Sequence, residues 1–159
     1  MTAPALLHLA RRFFGALDPR GPGGADEAWV AEVLSAGELG LWRRMSGPDR
    51  RHAVGVARAV PERLAPAALL HDVGKIESGL GTLARVPATL VGVVARERAV
   101  RGDGRVARYL RHDVLGARLL VAAGASPLVV AWAREHHLPA DRWSVDAGDG
   151  ALLKAADDD

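Results

Sequence analysis

Apolar positions recur along most of this chain at three- and four-residue intervals, the spacing of one face of an α-helix. Residues 4–17 place Leu6, Leu9, Phe13 and Leu17 on one stripe with polar residues opposite, which predicts an amphipathic helix. The run DPRGPGG over 18–24 then interrupts the pattern with three glycines and two prolines. A second helix is predicted from a cap at Asp26 through Trp29, Val33 and Leu34 to about Ser35, and a short one follows over 38–45. After the SGPD break at 46–49, Ser46 or Asp49 can cap a helix over 50–60, which Pro61 ends. Pro66 suits the first turn of the next, 65–73, and Gly74 suits its C-terminus. Later helices are predicted at about 86–99, 105–123, 127–137 and 147–156, separated by RGDG, GASP and LPADRWSVD. Residues 90–94 are rich in valine, as a strand would be, but they run on into helical spacing. The expectation is an all-α, single-domain helical bundle over 25–159, preceded by an amphipathic helix and Gly/Pro linker over 1–24.

Composition narrows the class without changing it. With 49% hydrophobic and 25% charged residues, the 159-residue chain reads as one ordinary globular domain. Aromatics are scarce, so Leu, Val and Ala must fill most of the core. There is no cysteine, which excludes disulfide staples, thiolate metal sites and a cysteine nucleophile. The N-terminal stretch carries His8, Arg11 and Arg12 within its apolar run and so matches a secretory signal poorly. The Val/Leu-rich piece 86–94 is far too short to span a bilayer, so a cytoplasmic location without membrane partners is expected. Lys75 and Lys154 are the only lysines, leaving nineteen arginines in a net charge of only +2. Arg over Lys in an Ala- and Gly-rich chain is what GC-rich coding produces, so no nucleic-acid partner is read from it.

What changes the picture is a set of histidines and aspartates. Five of the six histidines follow residue 50. The sharpest local feature is Leu70-His71-Asp72-Val73-Gly74-Lys75. Adjacent residues on a helix point about 100° apart, yet at a helix end such a pair can still converge on a cation. The imidazole supplies a nitrogen, and the carboxylate has two oxygens that can bridge two ions. Lys75 adds a compact positive charge beside them. His52 lies on the preceding predicted helix, which can pack against the helix carrying His71.

A helix bearing His, a helix ending in HDxGK and a distant Asp on a late helix together resemble the HD-domain metal-dependent phosphohydrolases. Leu152-Leu153-Lys154-Ala155-Ala156-Asp157 is similar to that family's late motif. Tyr109-Leu110-Arg111-His112-Asp113-Val114-Leu115-Gly116-Ala117-Arg118-Leu119-Leu120 is similar to the HPxxGAxLL segment of its HD-GYP branch, and Trp132-Ala133-Arg134-Glu135-His136-His137 to the segment carrying that branch's HH pair. Where that branch continues into its Gly-Tyr-Pro signature, this chain reads Leu138-Pro139-Ala140-Asp141-Arg142-Trp143. The resemblance covers roughly 48–157.

The resemblance implies one metal held by His52, His71, Asp72 and Asp157, and a second sharing Asp72 and adding His112 and His136. Asp158 competes with Asp157 for the late role. Asp113 makes a second HD dipeptide and is expected to cap or face solvent, and His137 is a candidate substrate contact. The cofactors would be one or two divalent ions among Fe, Mn, Zn, Co, Ni and Mg, since imidazole and carboxylate accept all of these. The implied activity is cleavage of a phosphate ester of a nucleotide or small phosphorylated metabolite by metal-activated water. Lys75 would hold the phosphate or steady the leaving oxygen, Arg50 or Arg51 could add a bidentate grip, and Asp72 or a histidine would handle the proton. The alternative is a catalytically weak nucleotide-binding or regulatory module of the same type.

Overall fold

The computed structural model describes residues 18–81, 84, 87–89 and 99–158. The expected amphipathic helix at 4–17, with His8, Phe13 and Phe14, lies outside them, as does most of the helix expected at 86–99. The fold is all-α, with no strand among the described residues.

Helix α1 (Gly24–Val33) starts three residues earlier than read, with Gly23 as its cap and Asp26 inside the first turn, where it pairs with Arg58 at 3.0 Å. Ser35 does not end this helix but starts the next. In α2 (Ala36–Trp42) it accepts from the Glu38 amide while its own amide donates to the Glu38 carboxylate, a reciprocal capping box. Ser46 caps α3 (Gly47–Arg58), which carries His52. A 3-10 turn, Glu62–Leu64, leads into α4 (Ala65–Leu70), with Pro66 in its first turn. The chain then tightens into a 3-10 helix, Val73–Ser78, so the helix read over 65–73 is two elements meeting at His71 and Asp72.

The helix read over 105–123 is likewise broken. Arg111, at φ −111° and ψ 18°, separates α5 (Arg105–Leu110) from α6 (His112–Ala122). Helix α7 (Pro127–Glu135) opens on a proline that has no amide to leave unsatisfied. A 3-10 turn, Ala140–Arg142, precedes α8 (Ala147–Asp158).

Packing follows from small residues on the facing sides. Ala53 and Ala57 of α3 and Ala65, Ala67 and Ala68 of α4 are all buried, which lets these helices lie close. Trp42, Leu69, Leu120, Trp132 and Leu153 fill the space between α2, α4, α6, α7 and α8. The 3-10 helix Val73–Ser78 packs against α5 and α6, α7 lies on both α4 and α6, and α8 on α3. Burying a leucine such as Leu153 completely stabilises by about 1.5–3 kcal/mol. That anchors the last helix, and so its terminal carboxylates, to the body of the bundle. Among the described residues no helix is long and apolar enough to cross a membrane.

Candidate metal centre

Three of the histidines sit where a helix has just ended or is ending. His71 follows α4, His112 lies two residues beyond the last residue of α5, and His136 follows α7. The last carbonyls of a helix have no amide partner within it, and each imidazole supplies one. His71 Nδ1–H donates to the Ala68 carbonyl at 2.8 Å, and His112 Nδ1–H to that of Tyr109 at 2.7 Å. His136 Nδ1–H is shared between Ala133 at 3.1 Å and Trp132 at 3.3 Å. A carbonyl can only accept, so the proton belongs on Nδ1, and Nε2 of each ring is turned away from its helix.

Those three Nε2 atoms converge on Asp72. Oδ1 of this buried carboxylate lies 3.3 Å from His112 Nε2 and 3.8 Å from His136 Nε2. Oδ2 lies 3.4 Å from His71 Nε2 and is contacted by Lys75 Nζ. Helix α8 delivers Asp157, whose Oδ1 accepts from His52 Nε2 at 2.9 Å and lies 3.5 Å from His71 Nε2. His137 places Nε2 only 3.1 Å from His112 Nε2. Two donor groups result, each with its ligand atoms within 4.8 Å of one another: His52, His71 and Asp72, and Asp72, His112, His136 and His137.

The donor set fits divalent cations. His71 Nε2 and His136 Nε2 are buried without a hydrogen-bond partner. An unsatisfied buried polar atom costs about 1–3 kcal/mol, which coordination would relieve. Ligands held at ~2.1 Å from one ion lie roughly 3.0–3.4 Å apart, close to the separations around Asp72. With nitrogen and oxygen donors only, the set accepts the harder and borderline ions and gives no thiolate preference.

Electrostatics divides the two groups. Burial opposes a charge on His71, but the carboxylates of Asp72 and Asp157 outweigh it and push the imidazole up to about 10. Burial likewise opposes the Asp72 carboxylate, yet Lys75 and His71 hold it well below the ordinary carboxylate range. Asp157 is held low against its burial by the hydrogen bond from His52 and by His71. In the other group burial dominates. It pushes His136 well below the usual imidazole range, helped by the charge on His71, and takes His137 down to about 4, helped by His112.

The HD domain family model matches residues 42–157. The chain belongs to the HD domain family. No curated protein and no solved structure matches it. Membership places it in a superfamily of metal-dependent phosphohydrolases, and its His/Asp cluster is one that can hold a metal. Of the two HD dipeptides inside the match, His71-Asp72 lies at the centre of the cluster.

The HD-domain structure brings His52, His71, Asp72, His112, His136 and Asp157 together, with Lys75 against Asp72. Asp158 turns outward to Lys154 Nζ at 2.7 Å, one residue and about 100° around α8 from Asp157. Asp113 stays at the start of α6, where its Oδ1 accepts from the Val114 amide at 2.8 Å. Arg51 differs most from its expected phosphate-gripping role. The same 100° step from His52 aims its guanidinium at the linker, where it donates to the carbonyls of Asp18, at 2.9 Å, and Arg20. Arg50, the other candidate grip, is tied to Glu27 at 2.6 Å. His137, read as a substrate contact, belongs by position to the second donor group. Tyr109 was not singled out by sequence. Its carbonyl anchors His112, and its ring stacks on the His112 imidazole at 5.8 Å between centroids. Its place three residues before a histidine at a helix end was the available signal.

Proposed function

We propose that this HD-domain protein hydrolyses a phosphate ester of a nucleotide or small phosphorylated metabolite with metal-activated water. The observation that carries this reading is Asp72, a buried carboxylate that presents one oxygen to His71 and the other to His112 and His136. His52, His71, Asp72 and Asp157 would hold one divalent ion. Asp72, His112 and His136, with His137 beside them, would hold a second. Such ions supply hydroxide near neutral pH and neutralise charge on phosphoryl oxygens.

The chain's own groups divide the remaining work. Burial opposes a charge on Lys75, but Asp72 and Asp49 outweigh it and keep the ammonium protonated, so it can grip a phosphate oxygen as a point charge. Asp72 stays ionised at neutral pH and serves as a ligand, leaving proton transfer to another group. His137 is neutral there and the least buried of its donor group, and so is the imidazole placed to pass a proton to solvent. The substrate is a small molecule rather than nucleic acid, and the location cytoplasmic.

The test is turnover of p-nitrophenyl phosphate and bis-p-nitrophenyl phosphate, then a nucleotide panel, with added manganese or iron. Wild type is expected to release product, and His71→Ala and Asp72→Ala to abolish release. Identical behaviour of all three proteins across the panel sinks the enzyme reading, while nucleotide binding without product would favour the weak binding module.

A further inference from the structure

Gly74 follows Asp72 by two residues, and its glycine character is not a matter of backbone conformation. Among the described residues the positive-φ glycines are Gly79 and Gly124, and it is Gly79, at φ 58°, that ends the 3-10 helix Val73–Ser78. What Gly74 requires is space. A Cβ built on it would lie 1.9 Å from the His112 carbonyl oxygen and 2.5 Å from the Gly116 amide nitrogen. The reverse view is milder: a Cβ on Gly116 would meet Gly74 N at 3.0 Å and Gly74 Cα at 3.3 Å. The backbone carrying Asp72 is therefore in direct contact with the first turn of α6, which carries His112.

We infer that this glycine contact sets the separation between the two donor groups, making Gly74 and Gly116 positioning residues chiefly for the second ion. The inference rests on the proposed two-cation reading. Asp72 Oδ1 and His112 Nε2 stand 3.3 Å apart across this contact. Metal–ligand distances tolerate only about ±0.2 Å. Relieving the Gly74 clash demands about 1.4 Å of movement or more, given ordinary carbon–oxygen contacts of ~3.3 Å or more. At Gly116 a few tenths suffice. The first ion shares only Asp72 with this contact, because its other donors, His52, His71 and Asp157, come from α3, the end of α4 and α8. A purely structural glycine would weaken the whole fold; a positioning glycine divides the two ions.

The experiment is titration of the chelator-stripped full chain with Mn²⁺ by calorimetry and electron paramagnetic resonance. It compares wild type, Gly116→Ala, Gly74→Ala and Gly55→Ala. Gly55 is the control, since a Cβ there meets nothing within 4 Å. Wild type and Gly55→Ala are expected to bind two ions with a spin-coupled signal. Gly116→Ala is expected to weaken the second ion by roughly 10–100-fold, the usual cost of disturbing a ligand's support, and to affect the first several-fold less. Gly74→Ala should bind one ion with an uncoupled signal. Thermal unfolding in chelator checks that each variant is folded; if Gly74→Ala is not, Gly116→Ala decides. A folded Gly116→Ala that keeps both affinities, or loses both in parallel, overturns the inference. Fewer than two ions in wild type overturns the two-cation reading itself, before any variant is compared.

Discussion

The two sides of Asp72 are built from similar residues but balance charge in opposite ways. On the α8 side, two imidazoles face two carboxylates: His52 and His71 meet Asp157, and His71 also meets Asp72. On the α6–α7 side, His112 and His136 crowd one oxygen of one shared carboxylate, with His137 against His112. The first side therefore retains a proton on His71, which a cation must displace, whereas His136 and His137 on the second are held neutral by burial. Proton competition at His71 extends well above neutrality, whereas at His136 and His137 it is confined to acid. Similar ligand types thus give one side where His71 competes with protons and one where His136 and His137 are already deprotonated.

The comparison breaks most completely at the residue both sides share. Asp72→Asn should lower turnover by at least ~10²–10³-fold, the scale of removing one preorganised electrostatic contact, and should weaken both ions in a Mn²⁺ titration. Weakening of one ion alone would mean that the carboxylate does not bridge.

The next effect sharpens the contrast. Asp157→Asn takes away the partner of His52 and one of the two carboxylates at His71, and breaking a buried pair in this way costs about 3–5 kcal/mol. Urea unfolding in chelator should show a loss of that order. His137→Gln, on the other side, should show none.

The pH dependence of stability in chelator should have two limbs of different origin. His71, raised from 6.5 to about 10, adds stability that is complete below about pH 6.5 and is lost as pH rises toward 10. His137, lowered from 6.5 to about 4, imposes a loss that sets in as pH falls below 6.5 and is complete near 4. Thermal midpoints measured from pH 4 to 10 should show both limbs, with His71→Asn flattening the alkaline one and His137→Gln reducing the acid one, to which His136 also contributes. The smallest effect is expected from Asp158→Asn, which removes an exposed pair with Lys154 worth under about 0.5 kcal/mol. A loss of metal from that variant would show that the wrong aspartate of the C-terminal run has been assigned.

Much of this was legible in the sequence because it is local. Helical periodicity, the capping serine at 46, the prolines that open α4 and α7, and the absence of thiols all act within a turn or two of chain. The anchoring of His71, His112 and His136 is equally local, since each ring uses a carbonyl three or four residues behind it. The breaks at His71 and Arg111 were missed because periodicity continues across them. The capping box of Ser35 and Glu38 was present in the sequence and misread as a helix end.

By itself, then, the sequence determined an all-α chain with His71 near a helix end and with only nitrogen and oxygen donors to offer a cation. Tertiary structure alone decided that His52 meets Asp157 across 105 residues, that Asp158 and Arg51 face elsewhere, and that Asp72 offers a different oxygen to each side. The physical reason is range. A hydrogen bond within a turn depends on a few neighbouring dihedral angles, whereas the distance between two helices depends on the side chains that keep them apart. Here those side chains are alanines between α3 and α4, and none at all where Gly74 meets α6.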